Sequence, residues 1–470
     1  MIEGLKPYAA MKNSGVPWLG RVPEHWGVLP NRALFSEIKD SGFPDEQMLS
    51  VTIKQGVIRQ ASLLSNTSKK DSSNEDKSKY KRVLSGDVTY NKMRAWQGAI
   101  GASSLRGIVS PAYIVVRLRD RKNASGYFHY LLRTPNFATE AERWSYGISS
   151  DQWSLRPEQF RQIYCCVPTP DEQSTIVRFL DHADRLVGRY IGSKRKLIKL
   201  LEEQKQAIIY RAVTRGLDPN VRLVPSGVDW LGNVPAHWDV RRAKQVSRIL
   251  RGKFSHRPRN DPALYDGPHP FIQTGDVARA RKNITSFSQT LNERGFAVSK
   301  KFPAGTLVMT IAANIGDVAV LDFDACFPDS VVGFVPKRGV SRDFLYFVFY
   351  TMKSEFLREA PVNTQGNLNV DRIGSQRVPV PPEAEQAMIV SSIECDTATV
   401  SVAVEAQSRE IDQMQEYCTR LIADVVTGKL DVRAAAAALP EATDEPDTAE
   451  AVEQDIADLE DAEAETEEAA

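Results

Sequence analysis

The stretch SGVPWLGRVPEHWGV (Ser14–Val28) returns as SGVDWLGNVPAHWDV (Ser226–Val240), identical at eleven of fifteen positions. Two Trp, two Gly, a Val-Pro and a His-Trp do not recur together by composition alone. Self-similarity of this kind constrains a fold more than any local pattern, because the chain must build the same plan more than once. The copy extends beyond the phrase. Gly4–Pro7 (GLKP) matches Gly216–Pro219 (GLDP), Pro170–Val177 (PDEQSTIV) matches Glu383–Val390 (EAEQAMIV), and Val213–Asp218 (VTRGLD) matches Val426–Asp431 (VTGKLD), at offsets of 212 or 213. One unit therefore runs from about Gly4 to Arg215 and the next from about Gly216 to Thr427. Between the matching ends, over residues 29–165 and 241–377, almost no identity survives. A duplicated scaffold with divergent middles reads as one kind of job done on two targets.

Each unit closes on a long helix. No Pro interrupts Asp171–Thr214, and apolar residues recur in steps of four and three: Ile176, Leu180, Ala183, Val187, Tyr190, Leu197, Leu201 and Ile208. The second copy gives Ile389, Ile393, Val400, Ala403, Met414, Leu421 and Val425. This is the heptad pattern of a coiled coil, interrupted by Lys194 and Gln204 in the first copy and by Asp396 and Gln407 in the second. At 1.5 Å per residue each helix spans ~65 Å. Pro168 and Pro170, then Pro379, Pro381 and Pro382, punctuate the starts. The middles carry short strand patterns broken by Gly and Pro, at Val83–Met93, Gly107–Leu118, Gly305–Asp324 and Ser330–Lys337, with helical stretches at Tyr127–Thr134 and Arg342–Ala360. The expected fold class is α+β: two globular mixed α/β domains separated by two long antiparallel helices that form a coiled coil, an internal pseudo-two-fold repeat. The expected boundaries are 1–168 and 216–380 for the globular domains, 169–215 and 381–432 for the helical spacers, and 433–470 for a tail. Antiparallel pairing would place Lys194 and its equivalent Gln407 near the pseudo-dyad, as a register lock or facing solvent or a partner.

A net charge of zero conceals an asymmetry. Residues 441–470 hold fourteen Asp or Glu and no Lys or Arg, which leaves 1–440 with 60 basic against 46 acidic residues. Such a tail cannot bury a core and is expected to be disordered, either as a solubilising segment or as an intramolecular mimic of DNA. The basic body suits a polyanionic partner. The hydrophobic share of 42% and charged share of 26% are those of an ordinary globular protein. No uninterrupted run of eighteen apolar residues occurs and Met1–Pro7 lacks the features of a secretory leader, so a cytoplasmic location without membrane insertion is expected. Five cysteines without a CxxC pair read as reduced thiols, with Cys165 and Cys166 as neighbouring strand residues or a redox pair.

The sequence offers no catalytic constellation. It contains no GxxxxGK[ST], no dinucleotide fingerprint after a strand, no Asn/Asp-Pro-Pro-aromatic tetrapeptide, and no clustered His or Cys to hold a metal. A formal PD…ExK match joins Pro170-Asp171 to Glu203-Gln204-Lys205, but both pieces lie on one helix ~48 Å apart and cannot share an ion. His25 and His237 recur in the repeated phrase without a nucleophile or carboxylate nearby in sequence, which favours a structural role.

The repeated phrase, GDVTYNKMRAWQGAIG (Gly86–Gly101), GIVSPAY (Gly107–Tyr113) and the PxxEQ helix starts together resemble the specificity subunit of type I restriction–modification systems. The resemblance covers Gly4 to Asp431, and the order variable domain, helix, variable domain, helix carries it. It implies a non-catalytic reader of double-stranded DNA in which each variable domain is a target-recognition domain for one half of a bipartite site. The helices would set the gap, with half-site centres about one turn of DNA apart, and dock two modification (adenine-methyltransferase) subunits, joined by restriction (translocase and nuclease) subunits. S-adenosylmethionine, ATP and magnesium would belong to those partners, leaving this chain without a cofactor.

Reading bases needs Arg, Lys, Asn and Gln on loops held by a rigid sheet. In the first domain the candidates are Lys54, Gln55, Asn91, Lys92, Arg94, Gln97, Tyr146, Ser149 and Ser150. In the second they are Gln273, Thr274, Arg279, Arg281, Asn314, Asn363, Thr364, Gln365 and Asn367. Each is also a residue type that ordinary surfaces and turns use. The basic loop Lys69–Arg82 suits phosphate or solvent more than bases. Two rivals remain: a self-sufficient endonuclease or methyltransferase, opposed by the missing motifs, and a coiled-coil scaffold whose domains bind protein, opposed by the basic body.

Overall fold

The structure is a computed structural model that describes residues 5–65, 76–147, 153–359 and 368–440. Of the tail expected at 433–470, residues 441–470 lie outside these residues, whereas Arg433–Ala437 form a short helix whose Ala436 is buried in the core of the first unit. The described chain divides into two compact units, and the divisions fall inside both long helices: one unit runs to Lys194 and resumes at Arg409, the other is Arg195–Ser408.

The first long helix is Pro170–Arg215 and the second Glu383–Val426, of 46 and 44 residues. Pro170 opens the first, where its missing N–H costs nothing, and Asp171 and Glu172 place negative charge on the first turn. Its end is a left-handed Gly216 (φ 72°) whose N–H bonds back to the carbonyl of Ala212. Gly428 (φ 74°) ends the second, and a Cβ there would come within 2.2 Å of Pro23, so both backbone and packing demand glycine.

In the first unit, Ile176, Phe179, Leu180 and Ala183 from the start of the first helix share a core with Leu421, Val425 and Val426 from the end of the second. In the second unit, Ile209, Ala212 and Val213 from the end of the first helix share a core with Ile389 and Ile393 from the start of the second. Antiparallel pairing follows within each unit. The heptad reading anticipates Ile176, Leu180 and Ala183, but Leu197 is 42% exposed, and Leu186 and Leu200 are also open. Lys194 bonds the carboxylate of Glu410 at 2.7 Å, with the Tyr190 hydroxyl on the same carboxylate at 2.9 Å. The second helix also holds an eighteen-residue window of mean hydropathy 1.4, long and apolar enough by composition to cross a membrane. A search for unbroken apolar runs misses it because Ser and Thr, together with Glu394 and Asp396, interrupt it. Within this helix Ile389 and Ile393 are fully buried against the second domain, although only 22% of the window is buried.

The divergent middles share one topology. The first domain has a four-stranded antiparallel sheet in the order Phe35–Ile38, Tyr113–Leu118, Val88–Asn91, Ile100–Ala102. The second has Ser247–Arg251, Val331–Pro336, Leu307–Thr310 and Val318–Leu321 in the same order, with Asn283–Ile284 added in parallel at the edge. Helices follow at matching places, Ser125–Leu132 and Pro135–Arg143 in one, Arg342–Thr351 and Lys353–Glu359 in the other. The strand leaving each repeated phrase pairs with the strand entering each long helix: Gly27–Pro30 with Tyr164–Val167, and Asp239–Arg242 with Arg377–Val380. The domains differ in what decorates this frame. Two hairpin-like ribbons, Leu49–Thr52 with Gly56–Arg59 and Lys81–Val83 with Gly107–Val109, occupy the first. A second four-stranded sheet built on Tyr265–Phe271 occupies the second.

Cys165 and Cys166 are fully buried strand residues, and all five cysteines are free. Burial pushes the Cys166 thiol up to about 12, with Tyr127 bonded to it, which leaves it protonated and unreactive.

Candidate nucleic-acid interface

The repeated phrase has a structural explanation. Its His-Trp pair grips the glutamate of the helix start. In the first unit, Glu172 accepts from His25 Nε2 at 2.8 Å, Trp26 Nε1 at 3.1 Å and the Tyr8 hydroxyl at 2.7 Å. In the second, Glu385 accepts from His237 Nε2 at 2.8 Å and Trp238 Nε1 at 3.1 Å. The next residue, Gln173 or Gln386, is fully buried and fastens the loop before the domain's first flanking helix. Gln173 accepts from Ala124 N and donates to Asn123 and the Pro168 carbonyl. Gln386 accepts from Ser341 N and donates to the carbonyls of Gly339 and Pro381. Buried polar groups demand partners, and this clamp supplies them twice with the same residues. It sets each globular domain on its helix, and its histidines serve structure.

The candidate reading residues of the first domain converge on one sheet edge. The loop from Asn91 to Ala99 joins strands Val88–Asn91 and Ile100–Ala102. Asn91 Oδ1 accepts from Met93 N at 3.0 Å, closing a turn and committing that oxygen to the backbone. Arg94 and Gln97 stand exposed beyond it. Gly98 (φ 98°) lies against Ile53, so the exposed turn that carries Lys54 and Gln55 sits beside this loop. Arg133 staples the two together, donating to the carbonyls of Ile53 and Ile100 at 3.0 Å each and to that of Lys54. Tyr146, 58% exposed, bridges to Ser154 on the same side. Trp96 packs edge-on against Trp153, with centroids 5.5 Å apart. A cleft of about 520 Å³ between these pieces is lined by Lys92, Met93, Ile114, Tyr146, Arg156 and Glu158 among others. Ser149 and Ser150 lie outside the described residues.

The second domain's candidates are less uniform. Asn314 sits on the turn between Leu307–Thr310 and Val318–Leu321, the counterpart of the Asn91–Ala99 loop, beside Ala313 in a left-handed conformation (φ 56°). Its Nδ2 is buried without a hydrogen-bond partner. Gln273 caps the helix Thr274–Arg279 and donates to Gln289 at 2.9 Å. Thr274 is buried, which withdraws it from direct contact. Arg279 pairs with Asp276 at 2.6 Å, and Arg281 pairs with Glu405 of the second long helix. Lys282 beside it bonds Glu394 at 2.5 Å and Asp343 at 3.2 Å, so this basic stretch fastens the domain to the helix. Asn363, Thr364, Gln365 and Asn367 lie outside the described residues.

Sequence reasoning misses Arg133 and Arg156. Arg133 sits in a helical stretch and acts through backbone carbonyls that are distant in sequence. Arg156, followed by Pro157 and Glu158, reads only as a helix start. A matching pair of main-chain bonds reveals its place: Leu155 N to Lys92 O, and Leu368 N to Ile311 O, both 2.8 Å. The same segment is thus pinned to the same loop in both domains despite unrelated sequences.

Residues 235–398 match the family model described as the type I restriction modification DNA specificity domain. The type I restriction enzyme MjaX specificity subunit of Methanocaldococcus jannaschii is 21% identical over 445 residues, covering 88% of this chain and 96% of its own. The MjaIX specificity subunit of the same organism is 26% identical over 171 residues, 34% of this chain and 38% of its own. A solved chain from work on complex assembly and conformational transition of the type I R-M system superposes with a TM-score of 0.58 at 15% identity, covering 86% of this chain and 98% of that one, which bears out the fold. With the twofold domain-and-helix plan and the matched sheets, these findings make the chain similar to the specificity subunits of type I restriction–modification systems, by family model over 235–398 and by relatives and fold over most of its length.

Proposed function

We propose that this chain reads a bipartite DNA site, one half-site per globular domain, and that its helices set the unspecified gap. The observation that carries this reading is the pair of matched sheets with unrelated edges. One frame, held on its helix by the same His-Trp-Glu clamp, presents two different sets of loop residues. A shared frame conserves position while divergent loops change what is read. In the first domain Lys54, Gln55, Lys92, Arg94, Gln97 and Tyr146 lie along the reading edge; Asn91 shapes it. In the second, Asn314 and Gln273 are half-buried candidates without an ion pair to break, while Arg279 and Arg281 would have to exchange an ion pair for DNA.

The exposed Leu186, Leu197, Leu200 and Val402 along the helices give apolar surface for two adenine-methyltransferase subunits, with restriction subunits joining that assembly in the cytoplasm. Methylome sequencing of a host that expresses the chain with its modification subunit tests this reading. A split motif with two short specified halves is expected, and a continuous motif or no new methylation would contradict it. The purified chain alone is expected to neither cleave nor methylate DNA, as transfer from labelled S-adenosylmethionine would reveal.

A further inference from the structure

We propose that the cleft beside the first domain's hairpin loop seats a phosphodiester of the DNA strand, with Lys92 and Arg156 as its counter-charges. The inference rests on the DNA-reading function above and assigns a role that the reading edge as a whole leaves open. Lys92 lies on the hairpin, whereas Arg156 lies 64 residues later in sequence, yet the Leu155 N to Lys92 O bond of 2.8 Å sets the two residues side by side. Neither side chain has an ion pair among the described residues, in contrast to Arg279 and Arg281 of the second domain.

Shape decides between backbone and base. Base edges lie inside a groove and are reached by side chains that protrude. A concave site of about 520 Å³ instead admits what protrudes from DNA, which is the sugar-phosphate ridge. The lining fits that ridge in detail. Met93 and Ile114 give an apolar floor for deoxyribose, and the exposed Tyr146 brings an aromatic face and a hydroxyl donor. Two cations outweigh the single carboxylate of Glu158, which opposes an anion and tempers the grip.

The second domain supplies an internal contrast. Its equivalents of Lys92 and Arg156 are Ile311, which is buried, and Asn369, whose side-chain oxygen caps the helix Val370–Ser375. No cation stands at either place. Among the described residues this cation pair therefore has no counterpart in the second domain, and the two halves of the DNA would be gripped unequally.

The test measures binding of the full-length chain to two duplexes, one with its methylated motif and one scrambled, across a salt series. Lys92→Gln and Arg156→Gln should each weaken both duplexes by the same factor, roughly tenfold at ~0.1 M salt, and each reduce the salt slope by ~0.9. Glu158→Gln should tighten both duplexes, an effect of opposite sign that misfolding would not produce. Loss on the motif duplex alone, with one base position relaxed, would overturn the proposal in favour of base reading. So would an unchanged salt slope, or weaker binding by Glu158→Gln. If wild type shows salt-dependent binding and the variants match it, the cleft assignment alone is wrong. If wild type shows no salt-dependent binding to either duplex, the DNA-reading function itself falls and the cleft with it.

Discussion

Glu172 illustrates why one residue can hold a domain in place. It is 5% exposed and accepts from three donors, of which Trp26 is fully buried and Tyr8 is 6% exposed. Removing it strands those donors, so Glu172→Ala should cost about 2–4 kcal/mol. Glu385→Ala should cost less, about 1–2 kcal/mol, because no tyrosine joins the second clamp and Glu385 is 22% exposed. Denaturant unfolding of the two variants checks the order, and equal losses would contradict it. His129 gives a pH signature at the same scale. Burial, aided by the charge of Arg133, lowers its pKa to about 4, against about 6.5 in the unfolded chain. Between those values the unfolded chain takes up a proton that the fold refuses. Stability should therefore be flat above pH ~6.5 and fall as the pH drops towards ~4. Melting temperatures across that window should fall more steeply for wild type than for His129→Gln; parallel curves would contradict the assignment.

At the scale of the element, the reading edge depends on how loops are tied down. Arg133 touches no ligand in this account. It holds the Lys54–Gln55 turn against the hairpin strand, and Arg133→Ala should lower stability by about 2–3 kcal/mol and weaken DNA binding together. Binding loss without a stability loss would mean that Arg133 meets DNA itself. The helices are the other decisive elements. Adding about four residues to each, between Leu186 and Ile198 and at the equivalent place, lengthens them by ~6 Å. The methylated motif should keep both halves and widen its gap by roughly one or two base pairs; an unchanged gap with efficient methylation would show that the helices are not the ruler. These helices are the part of the fold most legible in the sequence, because heptad spacing, Pro at the start and Gly at the end are local signals. The shared sheet is not legible. A strand needs only β-propensity and a buried face, so Val88–Asn91 and Leu307–Thr310 occupy the same place in the sheet with little identity. The site is legible in outline for the same reason that it fails in detail. Loop cations such as Lys92 and Arg94 can be read from composition, whereas the partner that takes Arg281 out of play lies 124 residues away.

At the scale of the whole molecule, the repeat resolves into a division of labour. What is identical in the two copies, the phrase, the helix starts and the helix ends, makes the clamps and caps. What differs decorates a common sheet and is proposed to face the target. The opening phrase recurs because each copy must seat one domain on one helix start, and Gly216 and Gly428 recur in function because each helix end packs against such a phrase. On this reading specificity resides separately in the two middles. Replacing residues 241–377 with the corresponding domain of another family member, then sequencing the methylome of a host that carries the chimera and its modification subunit, tests it most directly. The expected motif changes in one half-site while the other half-site and the gap persist. A change in both half-sites, or in neither, would contradict it.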